Sequence, residues 1–233
     1  MKRTLRIWGA AFAASCALFG PARAEAQETN TPAPKFRNAY YDCRRAAHQR
    51  EGMPEGAIVF MGNSITEQGW WEVLIPNRTI VNRGIGGDNT YGMLDRLPEI
   101  LDFKPRKIFL MAGINDISAG YPVADVAENI AAMVAMIQER VPACEIYVQS
   151  ALTPNDDVLA YDYVKGKREL VRELNERLRI MCGEKGATYV DVASLLSDDR
   201  GQIRTELTKD GVHIHPEAYR IWVDHLRRNK YLK

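Results

Sequence analysis

Ser64 stands in Gly62-Asn63-Ser64-Ile65-Thr66, directly after the apolar run Ala57–Met61. A serine at such a strand-to-helix turn can act as a nucleophile, because the N–H groups of the helix start are unpaired and face developing negative charge. Serine is equally a common helix cap, so this loop alone leaves both roles open. Near the other end of the chain, Asp210-Gly211-Val212-His213 puts a carboxylate and an imidazole three residues apart. That spacing suits a tight turn in which the carboxylate orients one ring nitrogen and the other accepts a proton from an alcohol. A structural Asp-His turn, or a metal pair from His213 and His215, would use the same residues. HExxH is absent and no third soft ligand stands at a recognisable spacing.

Two further loops offer neutral hydrogen-bond donors. Asn82-Arg83-Gly84-Ile85-Gly86-Gly87-Asp88-Asn89 contains glycines that can present a backbone N–H to a ligand oxygen. It is only superficially a dinucleotide fingerprint, since Asn89 stands where GxGxxG needs its last glycine. Gly113-Ile114-Asn115-Asp116 supplies an amide that can stabilise an oxyanion without being ionised, or can simply form a turn. GxSxG and GxxxxGK[ST] do not occur, which argues against the usual α/β-hydrolase elbow and against a P-loop NTPase.

These loops need a scaffold that brings them together, and the chain supplies a regular one. Apolar, β-rich runs recur at Ala57–Met61, Thr79–Val81, Lys107–Met111, Glu145–Gln149 and Thr188–Val190. Helical stretches lie between them at Ile65–Leu74, Thr90–Leu101, Val123–Arg140 and Tyr163–Glu184, with a last helix at Pro216–Arg228 and an outer one at Asn38–Arg50. Alternation of this kind predicts a doubly wound α/β domain around a parallel five-stranded sheet, a three-layer flavodoxin-like arrangement. Ligands then bind beyond the carboxyl ends of the strands, where the candidate loops fall. The loop after the fourth run, Ser150–Asp157, shows no unusual polar or glycine content.

The amino terminus reads as an address. Met1–Arg6 is basic, Ile7–Gly20 is apolar, and Ala22-Arg23-Ala24 has the small-x-small pattern of a signal-peptidase site. The expected division is a signal peptide over 1–24, a flexible leader over 25–37 and a single domain over 38–233, exported to the periplasm or beyond. Cys16, within the apolar stretch, leaves a lipoprotein variant open. The apolar stretch is too short for a stable membrane anchor, and no later segment looks membrane-spanning.

The full chain of 233 residues carries 31 bases and 30 acids, and without its first 24 residues the balance is −3. There is no basic surplus for gripping phosphate backbones, so no nucleic-acid partner is expected. Cys43, Cys144 and Cys182 form no CxxC and no disulfide framework.

Together the four loops resemble the SGNH (GDSL-type) hydrolase family in order and spacing. Its blocks correspond to Phe60–Thr66, Asn82–Asp88, Gly113–Asp116 and Asp210–His213. The chain is most similar to the small bacterial branch that includes platelet-activating-factor acetylhydrolase-like and carbohydrate acetylesterases. The resemblance implies Ser64 as nucleophile, His213 as general base and acid, and Asp210 as orienter. It implies an oxyanion hole of the Ser64 N–H, the Gly87 N–H and the Asn115 side chain, with Gly86 the near alternative to Gly87. Asn63 departs from the family motif, which has Asp there.

No metal or organic cofactor is required for such chemistry. The expected substrate is a small-molecule or glycan ester, foremost an O-acetylated carbohydrate. The alternatives are a lysophospholipase or acyl-lipid esterase, and a non-catalytic glycan-binding protein on the same fold. Asn63, Asp88, Trp70 and Tyr91 flank the loops and are the candidates for touching substrate. Trp70, Trp71 and Tyr91 could instead belong to the core.

Overall fold

A computed structural model describes residues 35–233. The expected signal segment and the leader up to residue 34 lie outside the described residues. The strands are β1 (Ile58–Gly62), β2 (Ile80–Gly84), β3 (Lys107–Met111), β4 (Glu145–Gln149) and β5 (Thr188–Val190). The helices are α1 (Ala39–Glu51), α2 (Ser64–Glu67), α3 (Trp71–Leu74), α4 (Thr90–Leu101), α5 (Ile114–Ser118), α6 (Val123–Arg140), α7 (Arg168–Lys185), α8 (Val192–Leu196) and α9 (Pro216–Arg228). All five strands are parallel, in the order β2-β1-β3-β4-β5.

The strand sequences explain why the sheet is central. Every residue of β1 and β3 is buried, as expected of parallel strands covered on both faces. In-register pairing aligns Phe60 with Phe109 and Phe109 with Tyr147. Their rings stack at 4.8 and 4.5 Å. Trp71 of α3 lies flat on Phe60 at 4.0 Å and meets Trp222 of α9 edge-on, which fixes those two helices to one face. On the other face α4, α6 and α7 pack side by side. Their apolar residues recur at helical spacing, for instance Val126, Ile130, Met133, Val134 and Ile137 in α6.

The strands β1 and β2 begin one residue later than expected and end one and three residues later, α1 is displaced by one residue, and two expected helical stretches change for local reasons. The helical stretch from Ile65 to Leu74 divides into α2 and α3, with Gly69 between them. The stretch from Tyr163 begins as a single 3-10 turn, Asp162–Val164, before α7 starts at Arg168. No described helix is long and apolar enough to cross a membrane.

The chain turns from β1 outward to β2 and then crosses back to β3. The strand order therefore reverses between β1 and β3, and a crevice opens at their carboxyl ends. Ser64 follows β1 by two residues and Asn115 follows β3 by four.

Candidate active site

Ser64 is the first residue of α2, and the cap of that helix is Asn63, whose side-chain oxygen accepts the Ile65 N–H at 3.0 Å. With Asn63 capping, the Ser64 hydroxyl is free to point outward. A one-turn helix has orphan carbonyls that need partners. Trp71 Nε1 donates to the Thr66 carbonyl at 2.8 Å, and the Tyr219 hydroxyl donates to the Ile65 carbonyl at 2.6 Å. The core aromatics thus hold the turn that carries the serine.

Ser64 Oγ lies 2.9 Å from His213 Nε2, across 149 residues of sequence. His213 Nδ1 lies 2.8 Å from Asp210 Oδ2. Asp210 Oδ1 accepts the N–H groups of His213 at 2.7 Å and Val212 at 3.0 Å, so the turn itself fixes the carboxylate. Burial alone would raise the Asp210 carboxyl, but these N–H groups and the imidazole outweigh it and hold the carboxyl below its ordinary range. The geometry is that of a nucleophile, a base and an orienter in hydrogen-bond contact, all three half-buried and open to solvent.

The donor loops converge on the same serine. A side chain built at Gly86 would approach Ser64 Cβ to 3.9 Å, so the glycine loop lies directly beside it. The Gly86 N–H donates to Glu67 Oε2 at 2.9 Å and is thereby occupied. Among the described residues, the N–H groups of Ser64 and Gly87 have no acceptor. Gly87 holds a left-handed turn at φ +76°, a conformation that favours glycine. The Asn115 amide donates one hydrogen to the Asp88 carbonyl at 2.7 Å, and its second has no acceptor among the described residues.

Glycine-loop residues are anchored from beneath by buried polar groups. Asp88 pairs with Arg96 at 2.8 Å, both side chains almost inaccessible. Arg96 also donates to the carbonyls of Arg83 and Gly62, tying the ends of β1 and β2 together. Burial pushes the Asp88 carboxyl up to about 6 despite the neighbouring guanidinium. Asp116 accepts the N–H and hydroxyl of Thr90 at 2.9 and 2.6 Å, which pins the start of α4 to α5.

Four residues expected to touch substrate divide evenly. Asn63 and Asp88 do not reach the surface: the first is spent on the α2 cap and the second on Arg96, so both brace the site from inside. Trp70 is 71% exposed, whereas its neighbour Trp71 is in the core. Tyr91 is half-buried and packs on Tyr121 at 5.3 Å.

Two contributions to the site carry no local sequence signal. Glu67, three residues after the serine, accepts the Tyr40 hydroxyl at 2.8 Å and the Gly86 N–H, lies in an ion pair with Arg44 at 2.9 Å, and so joins α1 to the glycine loop. The loop after β4 packs on the acid–base turn: the Asn155 N–H donates to the Gly211 carbonyl at 2.8 Å and the Ala160 N–H to the Asp210 carbonyl at 2.9 Å. A concavity of about 240 Å³ is lined by Gln68, Trp70, Val73, Lys209, Pro216 and Arg220 among others; Lys209 and Ile214 in its wall flank the Asp210–His213 turn, but none of the three triad side chains lines it.

The model of the GDSL-like Lipase/Acylhydrolase family matches residues 60–221. A solved structure from Streptococcus pneumonia, provisionally named a platelet activating factor, is 27% identical with a TM-score of 0.75, covering 83% of this chain and 93% of that one. Human platelet-activating factor acetylhydrolase IB subunit alpha1 is 27% identical over 184 residues, 76% of this chain and 75% of that protein. An N-acylneuraminate cytidylyltransferase of Streptococcus agalactiae is 26% identical over 153 residues, 63% of this chain. The match spans only 35% of that relative's length.

Proposed function

Since the chain belongs to the GDSL-like lipase/acylhydrolase family, we propose that it is a serine esterase that hydrolyses short-chain esters, foremost acetyl esters of carbohydrates, and that it is exported. The observation that carries the reading is the unbroken relay from Ser64 Oγ through His213 to Asp210. His213 takes the Ser64 proton as the oxygen attacks the ester carbonyl. The Ser64 and Gly87 N–H groups and the Asn115 amide meet the oxyanion. His213 then protonates the departing alcohol, and water repeats the sequence on the acyl-enzyme.

The substrate class rests on what surrounds the serine. Tyr40 and Glu67 wall the glycine loop beside Ser64, which favours a small acyl group. The rings of Tyr40, beside Gly86, and of Tyr163, beside Tyr161, are exposed, as is that of Trp70, and such flat apolar faces suit a sugar ring. Gln68 and Lys209, hydrogen-bonded to each other at 3.0 Å, add polar groups next to Trp70. A second reading, an acetyl ester of a lipid, is favoured by the exposed Val73 beside Trp70 and by the similarity to platelet-activating factor acetylhydrolase. The deciding experiment compares acetate release from acetylated oligosaccharides with that from acetylated ether lipids, alongside a p-nitrophenyl ester series from acetate upward. Preference for acetate and for the oligosaccharide supports the proposal. Preference for long acyl chains, or full turnover by Ser64→Ala, would contradict it.

A further inference from the structure

Asp210 receives more than the triad requires. Besides the two backbone N–H groups on Oδ1, its Oδ2 accepts both His213 Nδ1 at 2.8 Å and the Tyr161 hydroxyl at 3.2 Å. The carboxylate is thereby met by four donors, and the last comes from a different part of the chain. Tyr161 belongs to the loop after β4, just before the 3-10 turn Asp162–Val164. Its ring also stands edge-on to the His213 ring, with centroids 5.9 Å apart.

That contact is built into the backbone. The Ala160 N–H, one residue before Tyr161, donates to the Asp210 carbonyl, and Asn155 closes the other end of the segment on Gly211. Gly211 lies so close beneath this loop, at φ +85°, that a Cβ there would stand 2.7 Å from the Asn155 carbonyl oxygen and 2.8 Å from Leu159 Cα. Only glycine admits the loop at that distance, so the Asp-Gly turn and the tyrosine loop are shaped to each other.

We propose that Tyr161 is a positioning residue of the triad, whose hydroxyl shares Asp210 Oδ2 with the imidazole and so sets both the orientation and the basicity of His213. The proposal rests on the esterase reading above. A fourth donor disperses the charge of the carboxylate, which would otherwise pull more strongly on an imidazolium. It also restrains the carboxyl from rotating away from His213 Nδ1. The other polar and titratable groups around this relay are Ser64 from α2, Tyr163 beside Tyr161 at 5.7 Å, and Lys209, which is turned toward Gln68.

The test is Tyr161→Phe, which keeps the ring and removes only the hydroxyl, assayed with p-nitrophenyl acetate across pH. The expected result is a kcat lower by about 3- to 10-fold, the worth of one hydrogen bond, with KM within about twofold. The acid limb of kcat/KM should move to higher pH, because the less satisfied carboxylate favours protonated His213. Tyr161→Leu, which also removes the ring, should lower kcat further, and thermal unfolding of both variants reports that they are folded. A lowered kcat with an unmoved acid limb would indicate simple packing and overturn the proposal. So would a raised KM with unchanged kcat, which marks a substrate contact, or a profile identical to wild type. Retained turnover in Ser64→Ala would instead sink the esterase reading itself, so the two failures are distinguishable.

Discussion

On one side of Ser64 the glycine loop rests on buried charge, Asp88 on Arg96 and Asp116 on the start of α4, with the half-buried Glu67 reaching it from Arg44 and the exposed Tyr40. On the other side the Asp210–His213 turn rests on its own N–H groups and on the loop after β4, and its side chains are half-exposed. The groups meant to meet the oxyanion must already be aimed when charge develops, and a rigid, desolvated underlay provides that. The groups that move a proton need contact with one another and access to water. The contrast teaches that damage on the glycine-loop side should reach folding stability, whereas damage on the acid–base side should reach activity alone.

Four substitutions test this contrast. The largest effect is expected from His213→Gln, with kcat falling roughly 10⁶-fold while the urea midpoint of unfolding stays near wild type. A comparable loss of stability would erase the distinction. Arg96→Met leaves the Asp88 carboxylate buried and unpaired, and should cost about 3–5 kcal/mol in urea unfolding. If the cost proves below about 1 kcal/mol, that ion pair is not what anchors the glycine loop.

Asn115→Ala should lower kcat about 10²–10³-fold with little change in KM, as expected for a donor that acts in the transition state. A change confined to KM would place Asn115 in ground-state binding. The smallest effect concerns His48 of α1, where burial, with the guanidiniums of Arg83, Arg96 and Arg44, pushes the imidazole down to about 3. A group depressed in the folded state lends stability that is present above its ordinary value near 6.5 and is lost as pH falls toward about 3. His48→Gln should therefore flatten the acid side of the stability profile, by at most about 1.4 kcal/mol for each pH unit. An unchanged slope would show that His48 does not contribute to it.

Much of the scaffold was legible in the residues, because its signals are local. The runs at β3, β4 and β5 and the stretches at α4, α6 and α9 have the limits expected from apolar patterning alone. The motif spacing likewise pointed to Ser64, Asn115, Asp210 and His213, which the fold brings to one crevice. Patterning was silent on side chains whose partners are distant. Asn63 and Asp88 stand in polar, glycine-rich loops and read as surface groups, yet a helix cap and an arginine eight residues further on draw them inward. Tyr161 sits 49 residues from the aspartate it meets, and the polar residues around it, Asn155 to Asp157 and Asp162, give no sign of which tyrosine turns toward the acid–base turn. Glu67 was hidden in the same way, since its partners Tyr40 and Arg44 precede the recognisable blocks.

The most direct measurement is to treat the folded protein with a fluorophosphonate and map the adduct by peptide mass spectrometry, in parallel for wild type and His213→Gln. The expected result is a single stoichiometric adduct on Ser64 in the wild type and a drastically slowed reaction in the variant. An unmodified Ser64 in a preparation that still hydrolyses p-nitrophenyl acetate would contradict the assignment of that serine as the nucleophile.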